Sequence, residues 1–200
     1  MAADYVFVGE HDIDFEVPGT LGIIYNYKKW KKHRKGYPCL TVKEYLSEKV
    51  KSAKAEGKKV VHCHGVFDLL HIGHIKHFEE AKSYGDILVV TATADGFVNK
   101  GPNRPAFTSN LRLQALASLE VVDYAAVNDW PTALEAIKIL KPDIYCKGPD
   151  FRNHTDDITG KIVDEEDAVK SVGGVIKYTT DITFSSSNLL NRFGNVYSKP

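Results

Sequence analysis

The chain is 200 residues long and carries 26 Lys and Arg against 26 Asp and Glu, with apolar and charged fractions ordinary for a globular protein; these bound it to one domain with an appendage. The balanced charge speaks against a chain built as a whole for nucleic acid, and no apolar run approaches the roughly 20 residues of a membrane span. Cys39, Cys63 and Cys146 are odd in number and lack C-x-x-C spacing, which argues against a disulfide framework or a zinc site and fits a reducing cytoplasm.

Residues 1–55 read as an N-terminal extension. Its first residues lack the basic-then-apolar order of a signal peptide, and its aromatic residues stand among charges without a sustained period. The block Lys28-Lys29-Trp30-Lys31-Lys32-His33-Arg34-Lys35 reads as a solvated or subunit-packing arm, with nucleic acid or an acidic membrane as the alternative partner. Thr41-Val42-Lys43-Glu44 has the form of a capping box and opens a helix expected to reach about Ala55, before Glu56-Gly57.

Strands and helices alternate over 56–196. The spacing predicts strands at 59–66, 87–93, 121–127, 143–146 and 175–178. Helices are expected at 72–84, 110–119, 131–140, 164–172 and 185–193. Gly85 stands as a C′ residue, Ser109 as a cap and Pro131 in a first turn. Residues 95–108, with Gly96, Gly101, Pro102 and Pro105, form a loop. Such alternation implies an α/β fold, a Rossmann-like doubly wound sheet of five parallel strands. Ligands of such sheets bind at the carboxyl ends of strands near the switch point.

Gly65-Val66-Phe67-Asp68-Leu69-Leu70-His71-Ile72-Gly73-His74 lies at such an end. A strand feeding a turn and then a helix start presents unpaired N–H groups and the positive dipole end to an anion. His71 and His74, three residues apart, share one face of that helix. Two imidazoles there can hold a polyphosphate as negative charge grows on its bridging oxygen.

The string Gly-x-Phe-Asp-x-x-His-x-Gly-His after a strand resembles the signature of the H-x-G-H nucleotidyltransferases, in particular their cytidylyltransferase-like branch. Four further segments carry the resemblance. One is the loop Lys100-Gly-Pro-Asn-Arg104-Pro105 with the following Asn110-Leu-Arg112. Another is Lys147-Gly148-Pro149-Asp150-Phe151, similar to a Lys-Gly-Gly-Asp-Tyr element, where Pro149 removes one N–H donor. The serines Ser185, Ser186 and Ser187 resemble an Ile-Ser-Ser/Thr-Thr signature, and Asp95 stands where the family keeps a Ser/Asn-Asp element. Arg104-Pro105, Lys147-Gly148 and Gly173-Gly174 bring the chain closest to heptose-1-phosphate adenylyltransferases, which include domains of bifunctional heptose kinase/adenylyltransferases. Thr180-Asp181-Ile182-Thr183 replaces the Arg-Thr-Glu-Gly of the glycerol-3-phosphate cytidylyltransferases.

The resemblance implies a HUP-type nucleotidyltransferase domain over 56–196. It would transfer a nucleoside monophosphate from an NTP to a sugar phosphate and release pyrophosphate. ATP with heptose 1-phosphate is the favoured pair, and CTP with a polyol or sugar phosphate the alternative. A catalytically silent nucleotide-sensing module is the non-enzymatic rival. His71, His74, Lys100 and Arg104 are the expected catalytic residues. Gly65, Val66, Phe67, Asp68, Gly73, Asp95, Arg112, Lys147, Gly148, Asp150 and Ser185 to Ser187 are expected at the nucleotide, Asp68 shaping the turn. No protein metal site is expected, since His62, His64 and His77 lack a completing carboxylate or cysteine at dependable spacing. Magnesium would be carried mainly by the nucleotide's phosphates. A homodimer and a fused or partner sugar kinase are the expected partners, and the ending Tyr197-Ser198-Lys199-Pro200 fits a domain of a longer protein.

Overall fold

The computed structural model describes residues 3–5, 16–18, 24–25, 42–101, 103–152 and 162–180. In chain order these form β1 (Ala3–Tyr5), β2 (Glu16–Pro18), β3 (Ile24–Tyr25), α1 (Val42–Ala55), β4 (Val60–Gly65), α2 (Ile72–Ser83) and β5 (Ile87–Thr93). They continue with α3 (Ser109–Ala117), β6 (Tyr124–Asn128), α4 (Leu134–Leu140), β7 (Ile144–Lys147), α5 (Ile162–Ser171) and β8 (Val175–Tyr178). The expected closing helix over 185–193, with its serines, lies outside the described residues.

The main sheet runs β3-β6-β5-β4-β7-β8. β4 to β8 are mutually parallel, giving the five parallel strands expected, and β3 adds an antiparallel edge on β6. The chain builds outward from β4 through β5 to β6, then crosses back to β7 on the other side of β4. The order reverses between β4 and β7, so their carboxyl ends form the switch point where ligands of such sheets bind. β1 and β2 pair antiparallel in a separate two-stranded sheet.

Both faces are covered, which explains why β5, Ile87-Leu-Val-Val-Thr-Ala-Thr93, reads as continuous rather than alternating. One face packs Val61, Cys63, Val90 and Cys146 against Phe78 and Ala81 of α2 and Leu113 and Leu116 of α3. The other packs Val60, Val89 and Tyr124 against Leu46 and Val50 of α1 and Ala136 and Leu140 of α4, while Tyr145 meets α4 and α5. Leu46, Val50 and Ala53 recur at helical spacing and are buried. Helix α1, assigned by its sequence to the extension, is thus part of the packed core. Among the described residues no helix is long and apolar enough to cross a membrane.

One local expectation is corrected, and two others gain a physical account. Helix α4 begins at Leu134 rather than Pro131, because the Asn128 side-chain amide donates to the carbonyls of Trp130 and Thr132 at 2.9 Å each and holds them outside a helix. Gly85 follows the cap residue Tyr84 without adopting a left-handed backbone; its need is space, since a Cβ there would lie 2.7 Å from Val61 Cγ2 and 2.9 Å from the Lys59 carbonyl oxygen. Cys63 and Cys146, scattered in sequence, are register partners on β4 and β7.

Candidate active site

β4 delivers Gly65 to the switch point, and the chain turns through Phe67 in the left-handed region at φ 49°. The Phe67 ring folds back over Gly65, where a Cβ would stand 2.8 Å from its Cζ; only glycine fits beneath it. The ring packs edge-on against His74, centroids 5.4 Å apart, and against Phe78 at 5.1 Å. Phe67 therefore braces the helix that carries the histidines.

His71 is the N-cap of α2. Its backbone is extended, and its Nδ1 accepts from the His74 N–H at 3.4 Å, a capping task usually given to Ser, Thr, Asp or Asn. The His71 and His74 rings stack at 3.8 Å between centroids and 17° between planes. The cap needs an extended backbone at His71, and Gly73, buried in the first turn, keeps that turn slim. Burial, then the charges of His71, His77 and Lys100, lower His74 to about 3. The ring is neutral at physiological pH, and its Nδ1 is buried without a hydrogen-bond partner among the described residues.

The loop after β5 supplies the cations. Arg104 Nε donates to Asp68 at 2.6 Å, with side chains only 7% and 1% exposed. Its two terminal nitrogens, Nη1 and Nη2, are buried with no hydrogen-bond partner among the described residues. A buried guanidinium with both terminal nitrogens open is shaped for an anion. Burial alone would raise the Asp68 carboxyl; the N–H groups of Ala106 and Phe107 and the Arg104 guanidinium bring it below the ordinary carboxylate value. Lys100 sits exposed at the rim. Partial desolvation and then the Arg104 charge lower its ammonium, against the opposing pull of Asp68. Lys100 is thus a charged neighbour of both His74 and Arg104.

Three expected nucleotide contacts have other tasks. Arg112 is 2% exposed, and its guanidinium is engaged inside the fold. It donates through Nε to the Phe107 carbonyl at 3.0 Å, through Nη1 to that of Val66, and through Nη2 to the Thr93 carbonyl and Asp95 Oδ1, each at 2.7 Å. It clamps the ends of β4 and β5 to the start of α3. Asp95 accepts from Arg112 and from the Ser109 N–H at 3.0 Å. Burial would raise its carboxyl, but those donors leave it below the ordinary value. Lys147, 8% exposed, pairs with Glu165 at 2.8 Å and lies 4.3 Å from the centre of the Phe151 ring. Tyr145 donates to the same Glu165 at 3.0 Å. The Lys147 charge is therefore balanced inside the fold. The Val66 carbonyl is taken by Arg112. Gly148 caps a 3-10 turn over Pro149–Phe151, and Asp150 is exposed on it.

Sequence reasoning missed a buried polar ladder beside this site. The Thr91 hydroxyl meets His62 Nε2 at 2.8 Å and His64 Nδ1 at 2.9 Å, and Thr93 continues to the Gly65 carbonyl. Burial, then the Lys147 charge, lower His62 to about 3. The period-two spacing of His62 with His64 and of Thr91 with Thr93 was the available signal, since each pair shares one sheet face.

A doubly wound sheet with a histidine-capped helix and an open guanidinium at its switch point defines a nucleotidyltransferase-type α/β domain. The chain belongs to the cytidylyltransferase-like family, whose sequence profile matches residues 62–192. It is 32% identical over 187 residues to "Bifunctional protein HldE" of Geobacter sulfurreducens, covering 92% of this chain and 35% of that protein. Against the protein of the same name from Aliarcobacter butzleri it is 44% identical over 128 residues, 62% of this chain and 26% of that one. The chain spans about a third of the length of the curated relatives it matches. Among solved structures it resembles a lipopolysaccharide core biosynthesis protein from Thermoplasma volcanium, with TM-score 0.52 and 29% identity over 64% of this chain and all of that one. Pantoate-beta-alanine ligase from Francisella tularensis, solved with beta-gamma ATP and beta-alanine, shares the fold at TM-score 0.50 and 18% identity, over 72% of this chain and 70% of that one.

Proposed function

We propose that this domain transfers an adenylyl group from ATP to the phosphate of a sugar 1-phosphate, heptose 1-phosphate first among them, and releases pyrophosphate. The observation that carries the reading is the stacked His71/His74 pair at the switch point, with Arg104 holding two buried guanidinium nitrogens open in the facing loop. An oxygen of the acceptor phosphate attacks the α-phosphorus in line. The new O–P bond forms as the bond to the α,β-bridging oxygen breaks, and its electron pair leaves with pyrophosphate. The acceptor is already an anion and needs no general base, so neither Asp68 nor Asp95 is assigned that role.

His71 and His74 would hold the α-phosphoryl and bridging oxygens as charge develops there. Lys100 and Arg104 would neutralise the outer phosphates, with Ser185, Ser186 and Ser187 as further donors. Gly65, Val66 and Phe67 would bring backbone close to the nucleotide, Gly73 the slim first turn of the helix, and Gly148 and Asp150 the β7 side of the crevice. Magnesium, when bound, would offset phosphate charge. The carboxylates of Asp68 and Asp95 are committed to Arg104 and Arg112, which suits an ion held by the nucleotide with its own waters.

The resemblance to domains of bifunctional heptose kinase/adenylyltransferases, relatives that are named bifunctional, and a span of about a third of their length support a sugar kinase, fused or separate, as the partner that supplies the acceptor. A cytoplasmic homodimer completes the proposal. A matrix of four NTPs against heptose 1-phosphate, other sugar phosphates and glycerol 3-phosphate, read by pyrophosphate release, tests it. Turnover highest with ATP and a sugar 1-phosphate supports the reading, turnover with CTP and a polyol phosphate replaces it, and nucleotide binding without turnover with any acceptor leaves the silent sensor.

A further inference from the structure

Behind His74, one turn further along α2, lies a second group of side chains that the transfer reaction does not use. Cys63 on β4, Cys146 on β7 and His77 on α2 bring one ligand atom each to within 4.8 Å of the others. Both cysteines are free thiols, fully buried. They stand opposite each other across the two parallel strands that flank the switch point, on the face that α2 covers. We propose that Cys63, His77 and Cys146 form a buried site for a thiophilic divalent ion, zinc by its chemistry, that ties α2 to β4 and β7.

The geometry of the histidine favours coordination. His77 Nδ1 lies 2.9 Å from the Thr179 hydroxyl, and that hydroxyl is directed at the Lys147 carbonyl at 3.4 Å. Where the hydroxyl directs its one proton at that carbonyl, it accepts from Nδ1–H, and the lone pair is left on Nε2. Holding the remote ring nitrogen in this way fixes the tautomer and orientation of metal-binding histidines. Tetrahedral zinc with Zn–S near 2.3 Å and Zn–N near 2.0 Å sets ligand atoms about 3.5–3.8 Å apart. Side-chain rotation of two thiols closes that difference without moving the sheet.

Charge balance points the same way. On binding, both S–H protons leave to solvent and two S–M bonds form. One divalent ion with two thiolates and one neutral imidazole is electroneutral, which a dry core accepts. The fourth tetrahedral position remains for water or another ligand. The inference is independent of the proposed transfer reaction, because it concerns residues behind the histidine pair and is read without turnover.

The test uses the full chain, reduced and freed of metal by chelator, titrated with cobalt(II) and then with zinc. Expected are one ion per chain, a thiolate-to-cobalt charge-transfer band with tetrahedral d–d absorption, and loss of both on adding zinc. Cys146→Ala should weaken binding more than about 100-fold, and Thr179→Val by roughly 10–100-fold, as for loss of an outer-shell partner. Cys39→Ala should leave the titration unchanged. If Cys146→Ala does not fold, alkylation of the wild-type chain in enough urea to open the core decides: zinc, and not magnesium, should slow modification of Cys63 and Cys146, and equal rates with and without zinc would count against the site. Absence of a thiolate band, a band that depends on Cys39 instead, or a Cys63–Cys146 disulfide that takes up no cobalt after reduction would each overturn the proposal.

Discussion

Because burial lowers His74 to about 3, its ring meets an incoming triphosphate as a neutral imidazole, with one N–H to give and one lone pair. An oxyanion donor of this kind matters most where charge develops, so His74→Ala should lose about 10²–10³ in kcat with the fold kept, measured as pyrophosphate release beside circular dichroism. Near-normal turnover would remove the histidine from the chemistry. Arg112 makes the opposite prediction. Its guanidinium joins three backbone carbonyls and the Asp95 carboxylate inside the fold, and Lys cannot reproduce that fork. Arg112→Lys should cost about 3 kcal/mol or more of stability, the range for breaking a buried charged network, while the folded enzyme keeps its KM for ATP. A raised KM in a variant of wild-type stability would return Arg112 to the phosphates.

At the scale of elements, the strand-turn-helix unit from β4 to α2 works as one piece, since Phe67 bridges Gly65 to His74 and Phe78. Gly65→Ala would drive a Cβ into that ring and, through it, displace His74. A loss of about 1–3 kcal/mol together with a fall in kcat is expected from melting curves and initial rates, whereas a stability loss with kcat intact would show that the ring is not a brace. This unit was legible in the sequence because its turn glycine, apolar run and paired histidines act locally. β5 and β8 were legible in full for the same reason. What escaped was set by partners distant in sequence. No pattern at Pro131 reveals that Asn128 takes the carbonyls of Trp130 and Thr132. Nothing in Ile24-Tyr25 shows an edge strand paired with Ala125 and Ala126. The structural tasks of Arg112 and Lys147 follow from carbonyls and a carboxylate that only the folded sheet assembles.

For the molecule as a whole, the buried histidines set the acid limit of the ion-free protein. His62 and His74 are lowered to about 3 and His77 to about 4, in each case first by burial. The unfolded chain takes up protons at these positions near the ordinary histidine value of about 6.5, whereas the folded chain refuses them until far lower pH. Unfolding therefore binds protons throughout the interval, and stability must fall as pH drops through 6.5 toward 4. It is fully present only above the unfolded value. With three such groups the slope approaches about 4 kcal/mol per pH unit below pH 5.5, enough to unfold an ordinary domain of 5–15 kcal/mol within roughly two units. Urea titrations of chelator-treated protein between pH 7 and 4.5 should show this decline. A flat profile would mean that the histidines titrate alike in both states and are not buried as neutral rings. His74→Gln, which retains a polar side chain without the titration, should remove about one proton from the slope and leave the other two in place.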